Sequence, residues 1–168
     1  MITIDRQEVF TETPSDVFDL LADTEHEPDW NPDAISAKKV TPGPVGVGTA
    51  FSMQAKGMGA FDVRIATYDR PTSLGFDVKA TAMTMRVSFT LEERSVGGTS
   101  LGIHMEVEPR GVLWLLSPLL GAMMRRKFAG RGEQIREGLV ARAKGSERRG
   151  RSLSRSYAPR GSPKDQHS

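Results

Sequence analysis

The spacing of apolar residues changes period once along this chain, and that change limits the folds open to it. From Ile2 to Pro109 large apolar side chains recur mostly at every second position, as in strands with one wet and one dry face. After Pro109, Leu113, Leu116, Leu120, Met124, Phe128, Ile135 and Leu139 follow spacings of three, four or seven, the mark of one helical stripe ending near Ala143. One long helix closing a mostly antiparallel sheet makes a concave wall with a lid. The expected class is α+β, and the expected consequence is a cavity.

Turn chemistry divides the first part. Ile2–Phe10 reads as a strand. Thr13 then caps a short helix with Pro14 at its first position, where the missing N–H costs nothing, and Asp16 in its first turn. Asp23 or Thr24 opens a second brief helical turn, which ends before Trp30-Asn31-Pro32 because a residue preceding proline is pushed out of the helical region. Strand candidates follow at Ile35–Thr41, Thr49–Lys56, Ala60–Tyr68, Ser73–Lys79, Thr81–Glu93 and Thr99–Glu108. The separators are too short for crossover helices, so the strands form an antiparallel meander.

The dry faces are readable. Phe61, Val63 and Ile65 share one side of their strand, as do Met83, Met85, Val87, Phe89 and Leu91, and Leu101, Ile103, Met105 and Val107. Asp62, Arg64, Arg86, Glu92, His104, Glu106 and Glu108 fall on the other. The long helix lays its stripe on the dry face. Its first half is apolar nearly all round, since Val112, Trp114, Leu115, Leu119 and Met123 occupy the remaining sides, so something besides the sheet should cover them. Pro118 is expected to bend this helix, and Gly130 and Gly132 to weaken it.

Composition excludes several chemistries. Without cysteine there is no disulfide framework, thiol nucleophile or thiolate-bound zinc, and no need of an oxidising compartment. The N-terminus lacks the pattern of a secretory signal, and the apolar run Val112–Met124 is shorter than a membrane span, so the expectation is a cytoplasmic protein without stable membrane insertion. Residues 144–168 hold seven of the 23 Lys and Arg but only two of the 21 acids, leaving 16 basic and 19 acidic residues in 1–143. The basic balance thus belongs to a Ser/Gly/Arg-rich tail read as disordered and without function, and no nucleic-acid partner is expected. The domain is 1–143.

The order of Thr13-Pro14-Ser15-Asp16-Val17-Phe18, Leu21-Ala22-Asp23, Trp30-Asn31-Pro32, Gly46-Val47-Gly48-Thr49, Gly98-Thr99, Glu108-Pro109-Arg110-Gly111 and Pro118-Leu119-Leu120 resembles the START-like helix-grip superfamily, also called SRPBCC proteins, and within it the polyketide cyclase/dehydrase-like group. The resemblance covers about residues 1–143. It implies a curved seven-stranded antiparallel sheet around a long C-terminal helix, two short helices after the first strand, and a hydrophobic pocket between sheet and helix. It does not imply one activity, because the fold hosts carriers, sensors and enzymes.

The leading expectation is therefore binding of an apolar or aromatic small molecule, lipid-like or polyketide-like, by a monomer or weak homodimer. The candidate lining is Trp30, Phe51, Met53, Phe61, Val63, Phe76, Met83, Met85, Phe89, Met105, Leu116, Leu120 and Met124. Its four strand methionines suit varied ligand shapes, though they equally suit ordinary core filling. Trp30 either edges the cavity mouth or staples the helical turn onto the sheet.

An aromatase/cyclase or dehydratase is the first alternative, and it needs an acid, base or nucleophile inside the cavity. The inward rows from Phe61 onward contain none, so no catalytic residue is assigned. His26 lies near the presumed entrance, His104 falls on the wet face, and Arg64 and Tyr68 turn inward only if a bulge shifts their strand by one residue. No metal or cofactor is called for, since His26, His104 and His167 are scattered and the Gly43–Gly48 loop lacks phosphate-binding features. The second alternative is an interaction module using the apolar first half of the long helix.

Overall fold

Seven strands form one sheet among the described residues, with each neighbouring pair antiparallel: β1 (Ile2–Phe10), β2 (Ala34–Lys39), β3 (Ala50–Ala55), β4 (Gly59–Asp69), β5 (Ser73–Ala80), β6 (Met83–Glu93) and β7 (Thr99–Pro109). Their order is β1-β7-β6-β5-β4-β3-β2, so every connection joins neighbouring strands except that from β1 to β2, and the first strand pairs with the last. This computed structural model describes residues 1–156, with side chains to residue 146. Helix α1 (Pro14–Ala22) and a 3-10 turn (Thr24–Asp29) separate β1 from β2. Thr13 caps α1 by accepting a hydrogen bond from the Asp16 backbone N–H at 3.2 Å.

Alternation sets the two faces. Phe61, Val63 and Ile65 of β4 and Leu101, Ile103, Met105 and Val107 of β7 are buried, while Asp62, Arg64 and His104 between them are exposed. The outer face carries cross-strand ion pairs, with Arg86 of β6 reaching Asp77 of β5 at 3.4 Å and Glu106 of β7 at 3.3 Å. Gly98 lies at φ +84°, and a Cβ there would collide with the Phe10 carbonyl, so the β6–β7 turn passes the end of β1 only because this residue has no side chain.

The C-terminal segment holds the expected long helix, but two shorter helices precede it. It is three helices: α2 (Val112–Leu115), α3 (Ser117–Phe128) and α4 (Arg131–Ser156). Pro118 does not bend a continuous helix; it lies in the first turn of a new one, because a helix interior would need the N–H it lacks and would clash with its ring, whereas a first turn needs neither. Gly130 marks the second break. Helix α4 runs past residue 143 to Ser156, into the tail read as disordered over 144–168, and the rest of that tail lies outside the described residues.

Packing anchors α4 firmly. Ile135 and Leu139 are buried in the main core with Phe10, Val17, Phe18 and Leu101. The Glu8 carboxylate of β1 lies against Gly132, where a Cβ would reach. Arg142 adds hydrogen bonds to the Asp19 carbonyl and the Asp23 carboxylate of α1, both at 3.2 Å.

Candidate functional site

Two hydrophobic clusters fill the space between sheet and helices without merging. The larger includes Phe61, Phe76, Phe89 and Ile135, and the smaller holds Ile2, Ile4, Met105, Val107, Leu120 and Met124. Between them lies a cavity of about 230 Å³. Met85 and Val87 of β6 touch both clusters yet stay only half-buried on an inward row, because the cavity lies against them. An apolar cavity of about 150 Å³ already admits benzene, so this volume is on the scale of a one- or two-ring aromatic or a short acyl chain.

Most of the expected lining is brought together. Trp30, Met53, Phe61, Val63, Phe76, Met83, Met85, Phe89, Met105, Leu120 and Met124 all border the cavity. Phe51 and Leu116 do not. Phe51 is on the inward row of β3 but is fully buried in the main core. Leu116 is half exposed, since the break between α2 and α3 turns it out of the stripe.

Trp30 combines both of its expected roles. It borders the cavity and is also clamped between helices, with Gly138 of α4 against its ring and the Arg131 guanidinium 5.4 Å from the ring centroid. Its indole N–H is buried without a hydrogen-bond partner, and so is the Thr24 hydroxyl of the same lining. Such donors cost free energy until an acceptor reaches them.

The polar part of the lining was not anticipated. Glu27, Asn31, Asp33, Lys127 and Arg131 come from the 3-10 turn, the β2 approach and the ends of α3 and α4. Arg131 meets Glu27 at 2.8 Å with both side chains about four-fifths buried, and the same Glu27 Oε1 accepts from Asn31 at 2.7 Å. Lys127 lies 3.4 Å from Asp33 and donates to the Lys56 carbonyl at 3.2 Å. These bonds strap α3 and α4 across the cavity to the opposite rim. From β1, Arg6 also borders the cavity on an inward position, and it has no ion pair among the described residues.

Other candidates lie elsewhere. A bulge does interrupt the β4–β5 ladder, between Ile65 and Thr67, but it comes after Arg64, which stays on the outer face. Tyr68 packs edge-on against Phe18, with ring centroids 5.1 Å apart, outside the cavity. His26 pairs with Asp23 at 2.8 Å and His104 with Asp5 at 2.6 Å, both at the surface. The hydrogen bond to Asp23, followed by its charge, raises the His26 pKa above the ordinary 6.5. His167 lies outside the described residues, among which no cluster of three or more potential metal ligands occurs.

A family model described as "Polyketide cyclase / dehydrase and lipid transport" matches residues 1–144. No curated protein matches the sequence. Among solved structures, a START superfamily protein from Mycobacterium smegmatis is similar at a TM-score of 0.66 and 13% identity, over 86% of this chain and 99% of that one. The Zhui aromatase/cyclase from a Streptomyces species is similar at 0.70 and 13% identity, over 84% and 94%. Norcoclaurine synthase from Thalictrum flavum is similar at 0.61 and 14% identity, over 83% and 86%. At these identities the likeness is one of fold.

Proposed function

This chain belongs to the polyketide cyclase/dehydrase and lipid transport family over residues 1–144, and from that premise we propose that it binds an apolar small molecule carrying one anionic or hydrogen-bond-accepting end. The observation that carries the reading is the unfilled volume between the two clusters, walled by Phe61, Phe76, Met85 and Met105 and floored by Leu120 and Met124. Affinity comes mainly from apolar area removed from water, at about 25 cal/mol per Å² before the costs of association. The flexible thioethers of Met53, Met83, Met85 and Met105 let the wall adjust to a guest.

Arg6 supplies the polar end. In the lining Arg131 is matched by Glu27 and Lys127 by Asp33, whereas the partly buried Arg6 guanidinium on the concave wall has no ion pair among the described residues and is free to receive an acceptor from the ligand. Native mass spectrometry of protein purified without detergent tests the first half of the reading by seeking a co-purifying apolar compound. Titration with a medium-chain fatty acid and its methyl ester tests the second: the acid is expected to bind more tightly, and Arg6→Met to remove the preference. Equal binding of acid and ester by the parent protein refutes the role of Arg6, and failure of both to bind refutes the cavity.

One observation favours an aromatase/cyclase or dehydratase instead. Glu27 presents a carboxylate to the cavity whose Oε2 has no hydrogen-bond partner among the described residues. Turnover of a linear poly-β-ketone thioester analogue, lost in Glu27→Gln, separates catalysis from carriage.

A further inference from the structure

Helix α3 buries one side over the cavity, through Leu120 and Met124, while its other side and most of α2 are bare. Val112, Trp114, Leu115, Leu116 and Leu119 are between 49 % and 71 % exposed, so five large apolar side chains within eight residues face outward, and the exposed Met123 stands where this face meets the cavity. Scattered exposed apolar residues need no explanation, but a run of this density does. The same stretch has a consistent charge. Arg110, Arg125 and Arg126 flank it, all exposed and without an ion pair among the described residues, and no acidic residue occurs between Glu108 and Glu133.

We propose that this face docks peripherally on an anionic lipid bilayer, with α2 and the first turns of α3 lying in the interface. The charge pattern selects this occupant over a second copy of the chain. A two-fold contact through the patch would set Arg110, Arg125 and Arg126 of both copies near one another with no acid in the segment to offset them. An anionic bilayer offers negative head groups to the arginines and hydrocarbon to the leucines on a single surface. Trp114 is exposed within the patch, and an indole is the side chain that suits the boundary between head groups and acyl chains. No described helix is long and apolar enough to cross a membrane, so the segment lies along the surface and does not span it. Docking in this way places α3, which closes the cavity through Leu120 and Met124, against lipid.

The test is flotation of the full chain with vesicles of phosphatidylcholine alone and of phosphatidylcholine with phosphatidylserine in equal parts, together with tryptophan emission. Trp114 is exposed whereas Trp30 is buried, so a blue shift on vesicle addition that disappears in Trp114→Phe reports this face. Expected is flotation with the serine-containing vesicles only. It should fall by about tenfold or more in Leu115→Asp and in Leu119→Asp, and about fivefold in Arg125→Gln. Both leucines are about 70 % exposed, so neither substitution threatens the fold; circular dichroism verifies this. The proposal is overturned by absence of flotation or by flotation that the leucine substitutions leave intact, which would place docking elsewhere. A lipid-free dimer abolished by Leu119→Asp without vesicle binding also overturns it and assigns the face to a second copy.

Discussion

Gly138 of α4 stands so close to Trp30 that a Cβ on it would lie 2.8 Å from the indole Cγ and 2.9 Å from the Trp30 Cβ. A flexible side-chain tip would yield to such contact, but these are the atoms nearest the backbone, and Leu20 closes the remaining side at 3.1 Å. Gly138→Ala gains about 1 kcal/mol of helix propensity and loses about 1–3 kcal/mol to overpacking. The expected net effect is destabilisation, seen as a melting temperature lowered by about 2–4 °C per kcal/mol. A variant as stable as the parent shows that Trp30 is not wedged beneath α4.

Phe51 and Met83 occupy inward rows of the same sheet but differ in what lies behind them. Phe51 is sealed in the core, so Phe51→Leu costs about 1–2 kcal/mol of stability and leaves probe affinity unchanged. Met83 is half-buried against the cavity, so Met83→Glu brings a carboxylate to an apolar wall and lowers affinity for a neutral apolar probe by about tenfold or more. Fluorescence titration beside thermal melts reads both quantities. Unaltered affinity in Met83→Glu removes that residue from the site.

This contrast shows what residue spacing conveys. Period two assigned Phe51 and Met83 to the concave face, and the Gly- and Pro-rich separators located every strand to within a few residues, because face and turn are local properties. Depth is not local. Whether an inward side chain meets a void or another side chain depends on α3 and α4, far along the chain. Leu116 fails for a related reason: counting from Leu113 to Leu120 assumes an unbroken helix, and the break before Ser117 rotates the row. Glu27, Asp33, Lys127 and Arg131 could not be anticipated from periodicity, since they come from a 3-10 turn, a loop and helix ends, where side-chain direction has no period. Arg6 was legible in principle, as an even-numbered position between Ile4 and Phe10 on β1.

The Arg131–Glu27 pair fastens the start of α4 to the 3-10 turn beside the cavity, so it should govern how readily the site opens. Glu27→Gln keeps the shape and a weaker hydrogen bond but leaves the Arg131 charge uncompensated. The expected loss of stability is about 1–2 kcal/mol for a pair that retains some solvent. Stopped-flow release of a fluorescent apolar probe should become faster, with little change in its association rate. Unchanged release would confine the pair to holding the fold.

His104 and Asp5 couple β7 to β1 on the outer face, where their residues are directly paired in the ladder and the side chains meet at 2.6 Å. The hydrogen bond to Asp5 raises the imidazole pKa above its ordinary 6.5 against the opposing effect of burial, with smaller contributions from the Asp5 charge and from the hydrogen bond and charge of Glu106. A raised folded-state pKa means that the interaction stabilises fully below 6.5 and is lost as pH rises through the folded value. The stability difference between the parent and Asp5→Asn should thus be larger in acid than in alkali, though small because both side chains are well exposed. NMR titration of the His104 ring gives the sharper measurement. Its midpoint should lie above 6.5 in the parent and move down towards that value in Asp5→Asn; a parent midpoint at or below 6.5 contradicts the pairing.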